Sequence, residues 1–149
     1  MNNLYNKADV DAVIERLERL RSDSKRQWGT MDVSQMLVHL NLSLEPTMGL
    51  TFPKRKFIGR LLSPILKRIY LNQKPMVKNS PTNDSYIVTG DHDFEEAKQK
   101  AIEMVREFYE NGPEKCTKHP HPYFGKLTPK EWAILKWKHY DHHLRQFGE

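Results

Sequence analysis

The sequence predicts an all-α fold: an antiparallel four-helix bundle with a long, partly helical crossover between the second and third main helices. Three observations carry that expectation. Four segments repeat apolar residues at the i, i+3, i+4, i+7 spacing of one helix face. Each begins or ends on a recognisable cap or stop. Signals for strands are nearly absent. Four amphipathic helices bury their stripes by packing them against one another.

The first helix starts near Lys7 and reaches Leu20, with Val10, Val13, Ile14, Leu17 and Leu20 on one stripe. Asn6 precedes it as N-cap, its side-chain oxygen placed to accept from the free amides of the first turn. The second helix begins at Thr30 or Asp32 and runs to about Glu45, where Pro46 follows and Gly49 relaxes the chain. Asp32-Val33-Ser34-Gln35 has the capping-box pattern, in which Gln35 reaches back to the cap. The third main helix starts at Asp93, with Glu96 three positions on, and stops at Asn111-Gly112-Pro113. There glycine permits a left-handed ending and proline cannot continue the helix. The fourth has the clearest start: Thr128 at the N-cap, Pro129 at the first helical position and Glu131 at the third, continuing to about Gln146.

Between the second and third main helices lies 46–83, which contains no Asp or Glu. Within it, Phe57, Ile58, Leu61, Leu62, Ile65, Leu66 and Ile69 mark one helical face, with Arg60, Lys67 and Arg68 elsewhere. Ser63-Pro64 either kinks this segment or starts a second short helix, because Pro64 has no amide donor and crowds the preceding turn. Residues 79–89 read as a loop with a brief extended stretch at Tyr86-Ile87-Val88.

A chain of 149 residues is the length of one domain, read as 1–149 undivided, and about 150 residues can bury a continuous core. Hydrophobic residues make up 38% and the mean hydropathy is -0.77, as for a soluble protein with charged helix faces. No stretch approaches the ~20 apolar residues of a membrane span. The polar N-terminus, MNNLYNKADVDAVIERL, does not read as a signal peptide. The one cysteine, Cys116, has no CxxC partner and excludes a disulfide framework. It reads as an incidental loop or core thiol, and a reducing cytoplasm is the expected location. The net charge of +5 is moderate, and its distribution matters more than its size.

Among seven histidines, His139 and His143 stand out. They lie one turn apart and ~40° apart around the fourth helix, a spacing that lets two imidazoles chelate one ion. They continue the face of Trp132 and Leu135, and Gln146 extends it by another turn. The stripe therefore turns polar midway, which is unfavourable unless the imidazoles find partners. His39 lies near the buried stripe of Val33, Met36, Leu40 and Leu44 on the second helix. If the second and fourth helices are neighbours, it completes a three-nitrogen site. The bland reading is a set of hydrogen-bonded core or surface histidines. His142 rivals His143, since i, i+3 also chelates, but it lies on the side away from Gln146. His119 and His121, in KHPHPYFG, sit in a Pro-rich loop that would cover the site, and His92 reads as a loop residue.

This arrangement resembles the DinB/YfiT-like superfamily of metal-binding four-helix bundles. Its pattern is a His on the second helix and HxxxH on the fourth, often followed by Gln three residues on. His39 in QMLVHL, and His139, His143 and Gln146 in HYDHHLRQF, match it. HPYFGKLTPKEW followed by KHYDHHLRQFG, and WGTMDVSQMLVHLNLSLEPTMG, are similar to a subfamily of unknown-function domains within it. The resemblance implies a divalent ion, usually zinc or nickel, on three His ligands, with open positions for water or substrate. It also implies a homodimer. Characterised relatives include metal-dependent transferases for low-molecular-weight thiols, some hydrolases and isomerases.

Three neutral imidazoles leave a divalent ion its full charge. Such an ion lowers the pKa of bound water or a thiol toward neutrality, which suits thiol transfer or hydrolysis of a small substrate. Tyr140 follows His139, so the HExxH metalloprotease pattern lacks its Glu base. Asp141 lies ~200° from His139 and faces away. Gln35 and Gln146, each one turn from a proposed ligand, are candidates to orient an imidazole or hold water, or are plain exposed polar residues. No catalytic residue beyond the metal ligands is assigned. In the basic segment 54–78 the expected arrangement packs the apolar face on the bundle and leaves Lys and Arg solvated. A membrane-surface or nucleic-acid role is its rival, although no specific nucleic-acid framework is present. Trp28, Trp132 and Trp137 read as packing residues. A non-catalytic metal-stabilised bundle or interaction module stands as the alternative to a metal-dependent enzyme.

Overall fold

The computed structural model describes residues 1–54 and 57–149, and the side chains of Ile58 and Arg60 also lie outside the described set. It is all-helical, with α1 at Lys7–Arg19, α2 at Val33–Leu44, α3 at Phe57–Tyr70, α4 at Phe94–Asn111 and α5 at Pro129–Gln146. Two single 3-10 turns, Asp84–Tyr86 and Pro113–Lys115, complete the helical structure of the described residues. Among the described residues there is no strand. Of the extended stretch expected at Tyr86-Ile87-Val88, Tyr86 ends one such turn and Ile87 is extended, and only an isolated bridge joins His121 to Gly125.

The helix starts follow from their capping chemistry. Asn6 accepts from the Asp9 amide (3.1 Å) and Asp93 from the Glu96 amide (2.8 Å). Asp32, not Thr30, caps α2: its carboxylate accepts from the Gln35 amide (2.8 Å), and Gln35 Oε1 accepts in return from the Asp32 amide (3.1 Å). Thr128 and Glu131 form the same reciprocal pair at the start of α5.

Packing contacts join α1 to α4, α4 to α2, α2 to α5 and α5 to α1. Hydrogen bonds, an ion pair and a ring contact give their directions. Leu4 meets Ala133, and Arg16 meets Asp141 at 2.9 Å, so α1 and α5 run the same way. Gln35 meets Gly90, and Asn41 meets Ala97, so α2 and α4 also run the same way. Tyr5 stacks on Phe108 while Lys98 reaches Leu20, so α1 opposes α4. The His contacts below make α2 and α5 antiparallel. Two of the four contacts are thus antiparallel and two parallel. The reason lies in the crossover: a long connection carries the chain back to its starting end before α4 begins, whereas a short one would force an antiparallel neighbour. Val10, Val13, Leu17, Met36, Leu37, Leu40, Leu44, Ala101, Val105, Phe108, Tyr140 and Leu144 fill the shared core.

α3 runs through Pro64 without interruption, so no second helix starts there. Its packing departs from the sequence expectation. Phe57, Leu61, Ile65 and Ile69 are exposed, and the opposite arc is docked. Gly59 sits so close to the 121–125 turn that a Cβ there would lie 2.5 Å from the Pro122 carbonyl oxygen. Tyr70 meets Phe124 at 5.3 Å between ring centroids. Lys138 of α5 donates to the Tyr70 and Asn72 carbonyls (2.6 and 2.8 Å), holding the free C-terminal end of α3. Small size at Gly59 and cationic capping by Lys138 thus select the docked face, and the apolar arc is left outside.

Candidate metal centre

α2 and α5 meet along a stripe that their apolar periodicity leads into. His39 projects from the middle of α2, and His139 and His143 project one turn apart from α5. The His39 and His139 Nε2 atoms lie 3.0 Å apart, and those of His143 and His139 3.1 Å apart. The three ring centroids form a nearly equilateral triangle with sides of 4.7, 4.8 and 5.0 Å. Two nitrogens bound ~2.05 Å from one ion at tetrahedral angles sit ~3.3 Å apart. Both measured nitrogen pairs come within a few tenths of an ångström of that separation, and the ligand atoms of all three histidines lie within 4.8 Å of one another.

The other ring nitrogen of each histidine settles its tautomer. His39 Nδ1 lies 2.8 Å from the Tyr86 carbonyl oxygen, which can only accept. His139 Nδ1 lies 3.0 Å from Ser43 Oγ, whose own hydrogen goes to the Leu40 carbonyl. His143 Nδ1 lies 2.8 Å from Gln146 Oε1, and the Gln146 amide is oriented because its NH2 group donates to the Trp28 carbonyl at 2.7 Å. In all three neutral rings, then, Nδ1 carries the hydrogen and Nε2 offers a lone pair. Three lone pairs facing one another at this range repel unless a positive charge sits among them. A proton is a poor candidate for it. Burial and the neighbouring histidines push His139 well below the ordinary imidazole pKa, burial pushes His39 down, and burial followed by His39 pushes His143 to about 3. Together His39, His139 and His143 could hold a metal ion, and among the described residues no carboxylate or thiolate joins the cluster.

One turn before His139, Lys136 is buried and donates to the Ser43 carbonyl. Burial lowers its pKa to about 7, so near neutral pH a large share of this side chain carries no charge that would oppose a nearby cation.

The remaining histidines go elsewhere. His142 turns its ring edge to Trp28. His121 is buried in its own turn, where its Nδ1 accepts from the Tyr123 and Phe124 amides, and His119 reaches toward the Pro53 carbonyl. His92 bonds its own loop at Thr89. Gln146 lies against His143, with its Oε1 2.8 Å from Nδ1. Gln35 is placed differently, its amide engaged by the Asp32 amide and the Gly90 carbonyl in the start of α2. Asp141 faces away and pairs with Arg16 and Arg145. Trp132 is buried, and Cys116 is a buried loop thiol. A surface depression of about 520 Å³, lined in part by Trp137, Lys138, Asp141 and Arg145, touches none of the three histidines. Sequence reasoning missed Ser43 and the Tyr86 carbonyl. Ser43 had a usable signal, four residues beyond His39 on the same helix face; a backbone carbonyl on a distant loop has none.

Residues 3–149 match the family described as protein of unknown function (DUF1569), and the chain belongs to that family. No curated protein and no solved structure matches the chain.

Proposed function

We propose that this chain is a divalent-metal-binding protein, with His39, His139 and His143 as ligands of zinc or nickel, and that it is a metal-dependent enzyme acting on a small molecule. The observation that carries the reading is the convergence of three Nε2 lone pairs, each fixed by a hydrogen bond at Nδ1. Such outer partners are the usual companions of metal-bound histidine. The ring of contacts among α1, α2, α4 and α5, with the His39 and HxxxH motifs, supports placing the chain among DinB/YfiT-like four-helix bundles.

Three protein ligands with no fourth among the described residues is the ligand count of catalytic rather than closed structural zinc sites. An ion held there would supply Lewis acidity, lowering the pKa of a bound water or thiol toward neutrality. The chain's own part is to orient. Ser43, Gln146 and the Tyr86 carbonyl keep hydrogens off the convergent nitrogens, and burial of His39 and His143 keeps those rings neutral. Tyr140 is a core residue, fully buried, so no side chain follows His139 in the place of a glutamate base. The reading favours transfer of a small thiol ahead of hydrolysis.

Cobalt(II) substitution tests this. Its visible absorption bands should report low-coordinate nitrogen ligation, and added small thiols should produce a sulfur-to-cobalt charge-transfer band, followed by turnover with electrophilic acceptors. Cobalt bands indifferent to thiols and other small ligands would favour the alternative, a non-catalytic metal-stabilised bundle or interaction module.

A further inference from the structure

α3 is the most strongly amphipathic helix of the described structure, and it is docked with its apolar arc outward. At ~100° per residue, Phe57, Leu61, Ile65 and Ile69 span ~120° of its circumference, while Gly59, Leu66 and Tyr70 lie on the far side. The four outer residues are 76%, 67%, 58% and 50% exposed. The far side is fixed by Gly59 against the 121–125 turn, by Tyr70 on Phe124, and by Lys67, which bonds the Lys126 carbonyl and pairs with Glu131 at 3.6 Å. The outward arc is therefore not a face waiting to close on this chain's own core.

The segment that carries it is of one sign. Segment 46–83 carries eight Lys and Arg residues and no acid, so the remainder of the chain has a net charge of −3 and the whole positive excess resides here. An exposed apolar arc that includes Arg68 and lies in a cationic segment matches the interface of an anionic bilayer, where a long basic side chain can lay its stem along the apolar surface and reach the phosphates. There apolar side chains enter the acyl boundary while Lys and Arg meet lipid phosphates. A second copy of this chain would bring the same positive segment against itself. Nucleic acid would satisfy the cations and leave the arc in water.

We propose that α3 is an interfacial helix that seats this protein on an anionic lipid surface through Phe57, Leu61, Ile65 and Ile69, with Lys54, Arg68 and Lys74 toward the headgroups. No helix among the described residues is long and apolar enough to cross a membrane, so the association is peripheral.

Co-sedimentation of the full chain with vesicles decides it, comparing phosphatidylcholine alone with phosphatidylcholine mixed with phosphatidylglycerol. The expected result is binding to the mixed vesicles only, weakened by raised salt. The exposed double variant Leu61→Ser, Ile65→Ser should bind at least about tenfold more weakly, with unchanged circular dichroism and metal content. Arg68→Glu with Lys54→Glu should also weaken binding. Failure to bind mixed vesicles would overturn the proposal, as would binding that the Leu61→Ser, Ile65→Ser variant leaves intact. So would a lipid-free dimer that this variant dissolves, which would give the face to a second copy.

Discussion

Among the side chains α5 turns inward are Lys136, His139, His143 and Gln146, whereas those α3 turns outward are Phe57, Leu61, Ile65 and Ile69. Both helices depart from the rule that apolar residues go inside and polar ones outside, and they depart in opposite senses. In α5 the departure is fully organised. Every inward nitrogen of the histidines has either an oxygen partner or another imidazole facing it, and what the facing Nε2 atoms lack is a positive charge among them. In α3 the outward residues are left exposed by the described residues, and the requirement is an apolar phase. The contrast teaches that a buried polar stripe identifies its missing partner by geometry, whereas an exposed apolar stripe identifies it only by the charge around it.

Acid should separate the two regions most strongly. The three imidazoles have pKa values pushed below the ordinary 6.5, to about 3 for His143. In the metal-free chain the unfolded state therefore binds more protons than the folded state between about 6.5 and those lower values. Stability rises with pH through that window and is lost as pH falls. The upper limit is about 1.4 kcal/mol per pH unit for each ring. Urea unfolding of metal-free protein at pH 7 and pH 5 should show a marked drop in midpoint. Replacing His143 with Gln should flatten it.

The next largest effect concerns the groups that orient the rings. Ser43→Ala and Gln146→Ala each remove an acceptor from an Nδ1–H, and each should weaken zinc binding about 10- to 100-fold in a chelator competition assay. Gln35→Ala should leave zinc affinity unchanged. It should cost about 1 kcal/mol of stability, because Gln35 serves the capping box rather than the site. Equal losses of affinity in all three variants would mean that the effect is a general loosening of α2 and α5.

The smallest effect is the most diagnostic for α3. Leu61→Ser and Ile65→Ser should change unfolding free energy by no more than about 0.5 kcal/mol each. Leu40→Ala in the core should cost about 2–5 kcal/mol. A core-sized loss at Leu61 would show that its face is covered in solution.

Much of this was legible in the residues themselves. The caps at Asn6, Asp32, Asp93 and Thr128 mark the starts of α1, α2, α4 and α5, because capping is local chemistry that needs no tertiary information. His139 and His143 share a face through spacing alone. His39 was legible only on the condition that α2 and α5 are neighbours, which periodicity cannot supply. The Tyr86 carbonyl lies 47 residues from His39 and leaves no mark in side-chain identity. The orientation of α3 was misread for a similar reason. Its apolar stripe is the obvious face to bury, but Gly59 and the Lys138 cap on its last carbonyls decide the docking instead. Of the two roles its position suggests, Gln35 fills the helix cap, which engages its amide away from the imidazoles.

The most direct test of the central claim is elemental analysis of the purified chain after equilibration with zinc or nickel and removal of excess. The account predicts close to one ion per chain in the native sequence. It predicts loss of bound metal in each of His39→Ala, His139→Ala and His143→Ala, with His142→Ala and His121→Ala still loaded. Full occupancy in all three ligand variants, or no retained metal in the native chain, would contradict it.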